Sequence, residues 1–204
     1  MAFTYFFRDL QTLEMIRDRV LPAIRTRRFI HVWDAGCAMG PEPYSLAIVL
    51  RESMGYMIFR NVRIHATDID ESGQFGDIIR KGVYPEEQVK RIPGPIFERY
   101  FSRNGSPKHY RLADEIRNCV DFQQHDLLSL KPLRSDLSLI MCKNVLLHFT
   151  EEERVEVIRM FHSVLVEGGF FVTEQTQKLP AEVSGLFETV VSNAQVHRKR
   201  SRNA

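Results

Sequence analysis

The chain predicts an α/β fold with a doubly wound, mostly parallel sheet and a small antiparallel β insertion. Three observations carry this. Short apolar runs rich in β-formers recur along the 204 residues and are separated by helical stretches, as crossover connections require. The first run, around Ile30, Val32 and Trp33, ends in a glycine turn from Asp34-Ala-Gly36 to Gly40, and a helix opens at Glu42-Pro43. Polar groups then follow successive strands (Gly36 and Gly40, Asp68, Asp126, Asn144), where open sheets of this kind bind their ligands.

The elements follow in order. Phe3 to Arg8 is aromatic and is expected to pack onto the body, because exposed it would be a liability. Asp9 can cap a first helix in which Leu10, Leu13, Ile16, Val20 and Leu21 share one face. After the glycine turn an apolar helix is expected over Tyr44 to Leu50. Val62 to Thr67 is the second strand, with Asp68 just outside it. Glu71 to Lys81 reads as a helix weakened by Gly73 and Gly76 and stopped by Gly82. Tyr84-Pro85 opens a charged helical stretch to about Ile92, Pro93-Gly-Pro95 breaks it, and Ile96 to Phe101 is another short turn of helix.

Phe101 to Leu112 reads as a hairpin about Asn104-Gly105, an insertion over residues 99–112 within a single domain of residues 1–204. Ala113 to Asn118 is a helical turn, Val120 to Gln124 the third strand and Leu137 to Cys142 the fourth. Thr150 and Glu153 form a capping box for a helix reaching Leu165. Gly168-Gly169 is expected to stop that helix before a fifth strand, Phe170 to Thr173. Phe187 to Val191 and Gln195 to Arg200 can pair as a closing antiparallel hairpin.

Composition excludes several classes. At 44% hydrophobic and 26% charged residues the chain can bury a core and stay soluble. No apolar run approaches the about 20 residues of a membrane helix, so no membrane insertion is expected. There is no secretory pattern at the start. Cys37, Cys119 and Cys142 lack metal spacing, so no metal is expected, and buried thiols in a reducing cytoplasm fit them better. A net charge of +2 is too small to imply nucleic acid. The basic run from His197 to Arg202 reads as a solvated last strand and tail. Gly36 and Gly40 do not make the G-x-G-x-x-G spacing of a dinucleotide fold, which counts against NAD.

The strand-end residues carry the chemistry. Asp68 suits a carboxylate that accepts hydrogen bonds from ribose hydroxyls. Asp70 reads as a cap of the next helix. Asp126 could accept from an exocyclic adenine amine, although alone it would be a turn aspartate. Asn144 points an amide toward the same crevice. Each of these has an ordinary structural role available, and the weight comes from their convergence.

Several motifs in order resemble the CheR-type (chemotaxis receptor) family of S-adenosylmethionine-dependent protein-glutamate O-methyltransferases. They are Thr4-x-Phe6-Phe7-Arg8-Asp9, Ala35-Gly36-Cys37-x-x-Gly40-x-Glu42-Pro43-Tyr44-Ser45, Ala66-Thr-Asp68-Ile-Asp70, Gly82-Val-Tyr84, Asn118-x-Val120-x-Phe122, His125-Asp126-Leu127-Leu128 and Cys142-Lys-Asn144-Val145. The resemblance runs from Thr4 to about Arg198. It implies a Rossmann-like class I methyltransferase fold with S-adenosyl-L-methionine as cofactor and S-adenosyl-L-homocysteine as product. It also implies that Thr4, Arg8, Gly36, Glu42, Asp68, Asp126, Leu127, Lys143 and Asn144 surround the cofactor. Asp68 would hold the ribose, Asp126 and Leu127 would flank the adenine, and Glu42 would lie near the methionyl amine. Arg8 would sit by the sulfonium methyl and the incoming carboxylate, with the acceptor a receptor-like protein.

Departures from the family pattern fall mainly on the acceptor side. The chain begins at the Phe-Phe-Arg motif, without the family's helical amino-terminal domain, and Ala2 stands where an asparagine is expected. Lys143 replaces an arginine and loses its planar fork. His148 replaces a tyrosine, and is either a loop histidine filling that space or a catalytic group taking a proton from a neutral acceptor. Pro41 precedes Glu42 where a second glutamate is expected. The short Arg103 to Lys108 loop is expected not to grip a receptor tail tightly. The alternatives are a methyltransferase of the same build acting on a small molecule or another protein side chain, and a cofactor-binding regulatory module without turnover.

Overall fold

The computed structural model describes residues 4–176 and 178–201; Phe3, Ala2 and Arg202 lie outside them. Ten strands form two sheets: β1 (Ile30–Ala35), β2 (Val62–Asp68), β3 (Val83–Pro85), β4 (Phe101–Arg103), β5 (His109–Leu112), β6 (Val120–Gln124), β7 (Leu137–Cys142), β8 (Leu165–Thr173), β9 (Phe187–Thr189) and β10 (Val196–Lys199). The large sheet has the order β6-β2-β1-β7-β8-β10-β9, and the small one β3-β5-β4. Pairing is parallel from β6 to β8 and antiparallel at β10 and β9. The chain runs outward from β1 through β2 to β6, then returns to the other side of β1 as β7. That reversal puts the crevice of the sheet between the carboxyl ends of β1 and β7.

Helices cover both faces. They are α1 (Leu10–Met15), α2 (Leu21–Ile24), α3 (Pro41–Phe59), α4 (Phe75–Lys81), α5 (Glu86–Val89), α6 (Gly94–Tyr100), α7 (Asp114–Arg117), α8 (Glu151–Val164) and α9 (Ala181–Ser184). Strand alternation divides the core in two. Ile30, Val32, Ile64, Ala66, Leu139 and Met141 join α3 and the amino-terminal helices in one cluster. Trp33, Ala35, Ile140, Phe171 and the inner face of α8 form the other. Every residue of β7 is buried, as a central strand covered on both faces must be.

Several boundaries differ from expectation for identifiable reasons. The helix after the glycine turn spans Pro41–Phe59 rather than Tyr44 to Leu50, and is kinked at Gly55, whose φ of 72° and ψ of 166° are not helical. The first helix is interrupted by a π segment, Ile16–Val20. Leu10 lies 48% exposed instead of on the buried face, while Leu13, Ile16, Val20 and Leu21 are buried. Asp68 is the last residue of β2, not the first outside it. The helix expected from Glu71 starts at Phe75, because Asp70 holds the preceding turn: its oxygens accept from the N–H groups of Gln74 (3.1 Å) and Phe75 (2.9 Å). Gly82 ends this helix in the left-handed region, as a C-cap glycine does.

Val83–Pro85 pairs with β5, so the hairpin expected over 99–112 belongs to a three-stranded sheet. Gly168-Gly169 lies within β8, which begins at Leu165 directly after α8; the glycines sit where the pairing with β7 shifts register. The capping box of Thr150 and Glu153 is present.

The small sheet braces the amino-terminal segment and the glycine turn together. Phe6 is fully buried and meets Tyr84 and Phe101 edge-on, with ring centroids 5.0 and 5.2 Å apart. The Tyr84 hydroxyl donates to the Met39 carbonyl (2.9 Å), and the Tyr44 hydroxyl to the Ile79 carbonyl (2.6 Å). Gly40, with φ 99°, lies so close beneath them that a Cβ would fall 2.7 Å from the Tyr84 hydroxyl and 2.8 Å from Ile79. Gly40→Ala is expected to cost about 2–4 kcal/mol from backbone strain and overpacking together. Urea unfolding measures it, and an unchanged midpoint would contradict this packing.

Candidate active site

Strand alternation sets the floor of the crevice. Asp34 shares the face of Ile30 and Val32, Asp68 that of Ile64 and Ala66, and Lys143 that of Leu139 and Met141; all three face the α3 side. Above them lies a cavity of about 470 Å³. Its lining includes Thr4, Arg8, Gly36, Glu42, Asp68, Lys143, Asn144 and His148. A second compartment of about 290 Å³ adjoins it, lined by Ile69, Asp126, Leu127, Leu128 and Phe149 and sharing Gly36, Asp68, Val145 and His148 with the first. The crevice therefore has a charged half and a mainly apolar half, with Asp68 at the junction. Arg8, from the amino-terminal segment, and Asp68, from β2, line the same cavity.

The loops leaving β1 and β7 touch. Gly36 has φ 96°, and a Cβ there would meet Val145 Cγ2 at 2.0 Å. The turn's amides are already engaged: Gly36 and Cys37 donate to the Thr67 carbonyl (2.7 and 3.0 Å), and Ala38 donates to Asp68 Oδ2 (2.9 Å). No phosphate cradle exists here, so the turn acts as a spacer that brings the ligand close to the backbone. Asp68 Oδ1 accepts from the Asp70 N–H (3.2 Å). Each Asp68 oxygen thus accepts one backbone hydrogen bond and keeps capacity for another acceptor contact. Asp126 Oδ1 accepts from the Leu128 N–H (2.9 Å), the turn-aspartate contact, while the residue lines the apolar half.

The charged half is held by buried groups. Lys143 is only 5% exposed and pairs with Asp9, whose side chain also accepts from the Thr12 N–H (3.2 Å) as the cap of α1. Lys143 therefore ties α1 to the end of β7. Burial works to raise the Asp9 carboxyl, but the hydrogen bond and charge of Lys143, with Thr12, hold it below its ordinary value. Asn144 takes φ 57°, and its N–H donates to Glu174 Oε2 (3.1 Å). Thr173 Oγ1 donates to the same oxygen (2.8 Å). Asp34 is fully buried and neither of its oxygens has a partner, and Glu42 Oε1 is likewise buried and unpartnered. Burial, followed by the neighbouring Glu42 carboxylate, pushes Asp34 well above its ordinary value. Glu42 is also raised, by burial against the opposing charge of Lys143. His148 is exposed and reaches both compartments.

Sequence reasoning did not find Asp34, Glu174 or the Asp9–Lys143 pair as parts of the site. Asp34 and Glu174 stand at the carboxyl ends of β1 and β8, so the strand-end rule that selected Asp68 applies to them too. The three cysteines are free and buried, and among the described residues no cluster of His, Cys, Asp and Glu could hold a metal. Among them, too, no helix is long and apolar enough to cross a membrane.

A mostly parallel sheet with an antiparallel β10 beside β8, and a two-part crevice at its switch point, define the class I S-adenosylmethionine-dependent methyltransferases. The donor set fits that cofactor, since orphaned buried carboxylate oxygens suit a cation and the apolar half suits a flat base. The fold resembles the rRNA methyltransferase aviRa from Streptomyces viridochromogenes (TM-score 0.58, 14% identity, 97% of this chain and 86% of that one). It also resembles magnesium protoporphyrin IX methyltransferase from Synechocystis PCC 6803 with bound SAM (TM-score 0.50, 18% identity, 94% and 79%).

The chain belongs to the CheR methyltransferase family: the model of its SAM binding domain matches residues 2–196. Chemotaxis protein methyltransferase 2 of Pseudomonas aeruginosa is 32% identical over 94% of this chain and 69% of its own length. The chemotaxis protein methyltransferase of Borreliella burgdorferi is 28% identical over 86% and 64%. The chain thus spans about two thirds of the length of these relatives.

Because Asp9 is held low in the folded state, its contribution to stability is fully present above the unfolded aspartate value, near pH 4, and disappears as pH falls through the lower folded value. Lys143→Gln is expected to lose about 1–3 kcal/mol at pH 7. Its deficit against the unsubstituted protein should shrink below about pH 4 in urea unfolding. A deficit independent of pH would count against this pairing.

Proposed function

We propose that the chain transfers a methyl group from S-adenosylmethionine to a side-chain carboxylate of an acceptor protein of the chemotaxis-receptor kind. The products are a methyl ester and S-adenosylhomocysteine. The observation that carries this reading is the placement of Arg8 in one cavity with Glu42 and Asp68. The relatives named as chemotaxis protein methyltransferases support it.

When bound, the cofactor supplies an electrophilic sulfonium methyl group. Asp68, at the junction of the compartments, accepts from the ribose hydroxyls. Asp126 and Leu127 flank the adenine in the apolar half, and Glu42 accepts from the methionyl ammonium. Thr4, Gly36 and Asn144 border the charged half, and Lys143 acts mainly by fastening α1 through Asp9.

Arg8 orients the acceptor carboxylate at the mouth. An ionised carboxylate is already a nucleophile, so alignment and exclusion of water are what the site must provide. The Arg8 fork is required to hold it without over-stabilising it, since the attacking charge disappears in the transition state. His148 borders the path, and with a carboxylate acceptor it has no proton to remove.

Base-labile methyl incorporation into receptor fragments tests the reading, and its absence, or an alkali-stable label, would overturn it. Asp68→Ala is expected to weaken cofactor binding about 10- to 100-fold in calorimetry. Arg8→Ala should lower methyl transfer about 100-fold or more while cofactor affinity stays within about threefold. His148→Phe should keep turnover; loss of turnover would point to proton removal from a neutral acceptor.

A further inference from the structure

Asp34 and Glu42 form a buried pair, of which the proposed function uses only Glu42. Asp34 is the last residue but one of the central strand β1, and Glu42 lies in the first turn of α3. The two carboxyl groups are buried as electrostatic neighbours, and among the described residues no donor reaches either oxygen of Asp34 or Oε1 of Glu42. Two carboxylates cannot both accept in one hydrogen bond, and two bare buried charges side by side would be strongly repulsive. A proton between them resolves both difficulties.

The surroundings decide where that proton resides. Glu42 faces Lys143 and Arg8, with Asp9 opposing them, and sits in the positive field of a helix amino terminus. Asp34 faces Glu42 and Asp68, with Lys143 the nearby cation. The thiols Cys37 and Cys142 pack close to the pair and are held neutral by burial. The two nearby cations, Arg8 and Lys143, line a pocket together with Glu42, which favours the negative charge on that residue.

We propose that Asp34 is a neutral carboxylic acid in the folded protein, and that by donating its proton to Glu42 it positions that residue as a single anion for the ammonium group of the cofactor. This rests on the reading that Glu42 meets the ammonium; the proton itself is present without any ligand. Asp34 is thus a positioning residue. It fixes the Glu42 rotamer from below and keeps the charge of the pair matched to one cation.

Carboxyl NMR of the ligand-free protein, with aspartate and glutamate labelled separately by 13C, tests the proton directly. One aspartate should titrate well above the ordinary carboxyl range, and its signal should vanish in Asp34→Asn. If every aspartate titrates within or below that range, the proposal fails whatever the variants do.

Stability gives a second readout. An acid whose folded value is raised costs stability as pH climbs above its unfolded value, about tenfold in the folding equilibrium per pH unit until the folded value is reached. Asp34→Asn should therefore gain on the unsubstituted protein as pH rises above about 4. A constant difference would overturn the assignment.

Calorimetry with S-adenosylhomocysteine, which keeps the ammonium, provides the third. Asp34→Asn retains a donor for Glu42 and should bind within about threefold of the unsubstituted protein. Asp34→Leu should bind at least tenfold more weakly. Equal losses in both variants would overturn the proposal. A protonated aspartate with affinities unaffected by either variant would instead remove the Glu42–ammonium reading and leave the proton in place.

Discussion

The site depends on the contact between the loops leaving β1 and β7, where Gly36 and Val145 meet with no room for a Cβ. Because those loops meet, the crevice is closed beneath, and the groups at the ends of β1, β2 and β7 share one small volume. The amides of the glycine turn are used up by Thr67 and Asp68. The turn's backbone therefore has little left to offer a ligand, and it is side chains, the carboxylates of Asp68 and Glu42 among them, that line the cavity. A backbone rigid enough to exclude a phosphate cradle also gives these carboxylates fixed positions.

Much of this was legible in the sequence. The five main strands, the parallel order and the crevice follow from apolar runs separated by helical periods. Asp9 as a cap, Asp70 as a turn holder, Gly82 as a helix stop and the Thr150–Glu153 box all depend on contacts within a few residues. Local chemistry of that kind is written in the local sequence.

What was missed is long-range. Tyr84-Pro85 reads as the start of a helical stretch because its strand partner, β5, lies more than twenty residues away. Gly168-Gly169 looks like a helix stop because only the register with β7 reveals a bulge. Lys143 reads as a weakened arginine until Asp9 appears beside it from the other end of the chain. Asp34 reads as part of a turn because nothing in a one-dimensional string shows Glu42 facing it. The convergence of Arg8 and Asp68 was inferred from motif order, and the fold supplies the reason: the amino-terminal segment is pinned to the small sheet by Phe6.

That pinning bears on the order of events during synthesis. Phe6 precedes in the chain the Tyr84 and Phe101 rings that seat it, and Asp9 precedes its partner Lys143 by 134 positions. The glycine turn is likewise buttressed by Tyr84, itself a late arrival. A nascent chain halted before β7 has the strand–turn–helix but no finished crevice. The crevice is therefore completed only when β7 takes its place beside β1, late along the chain.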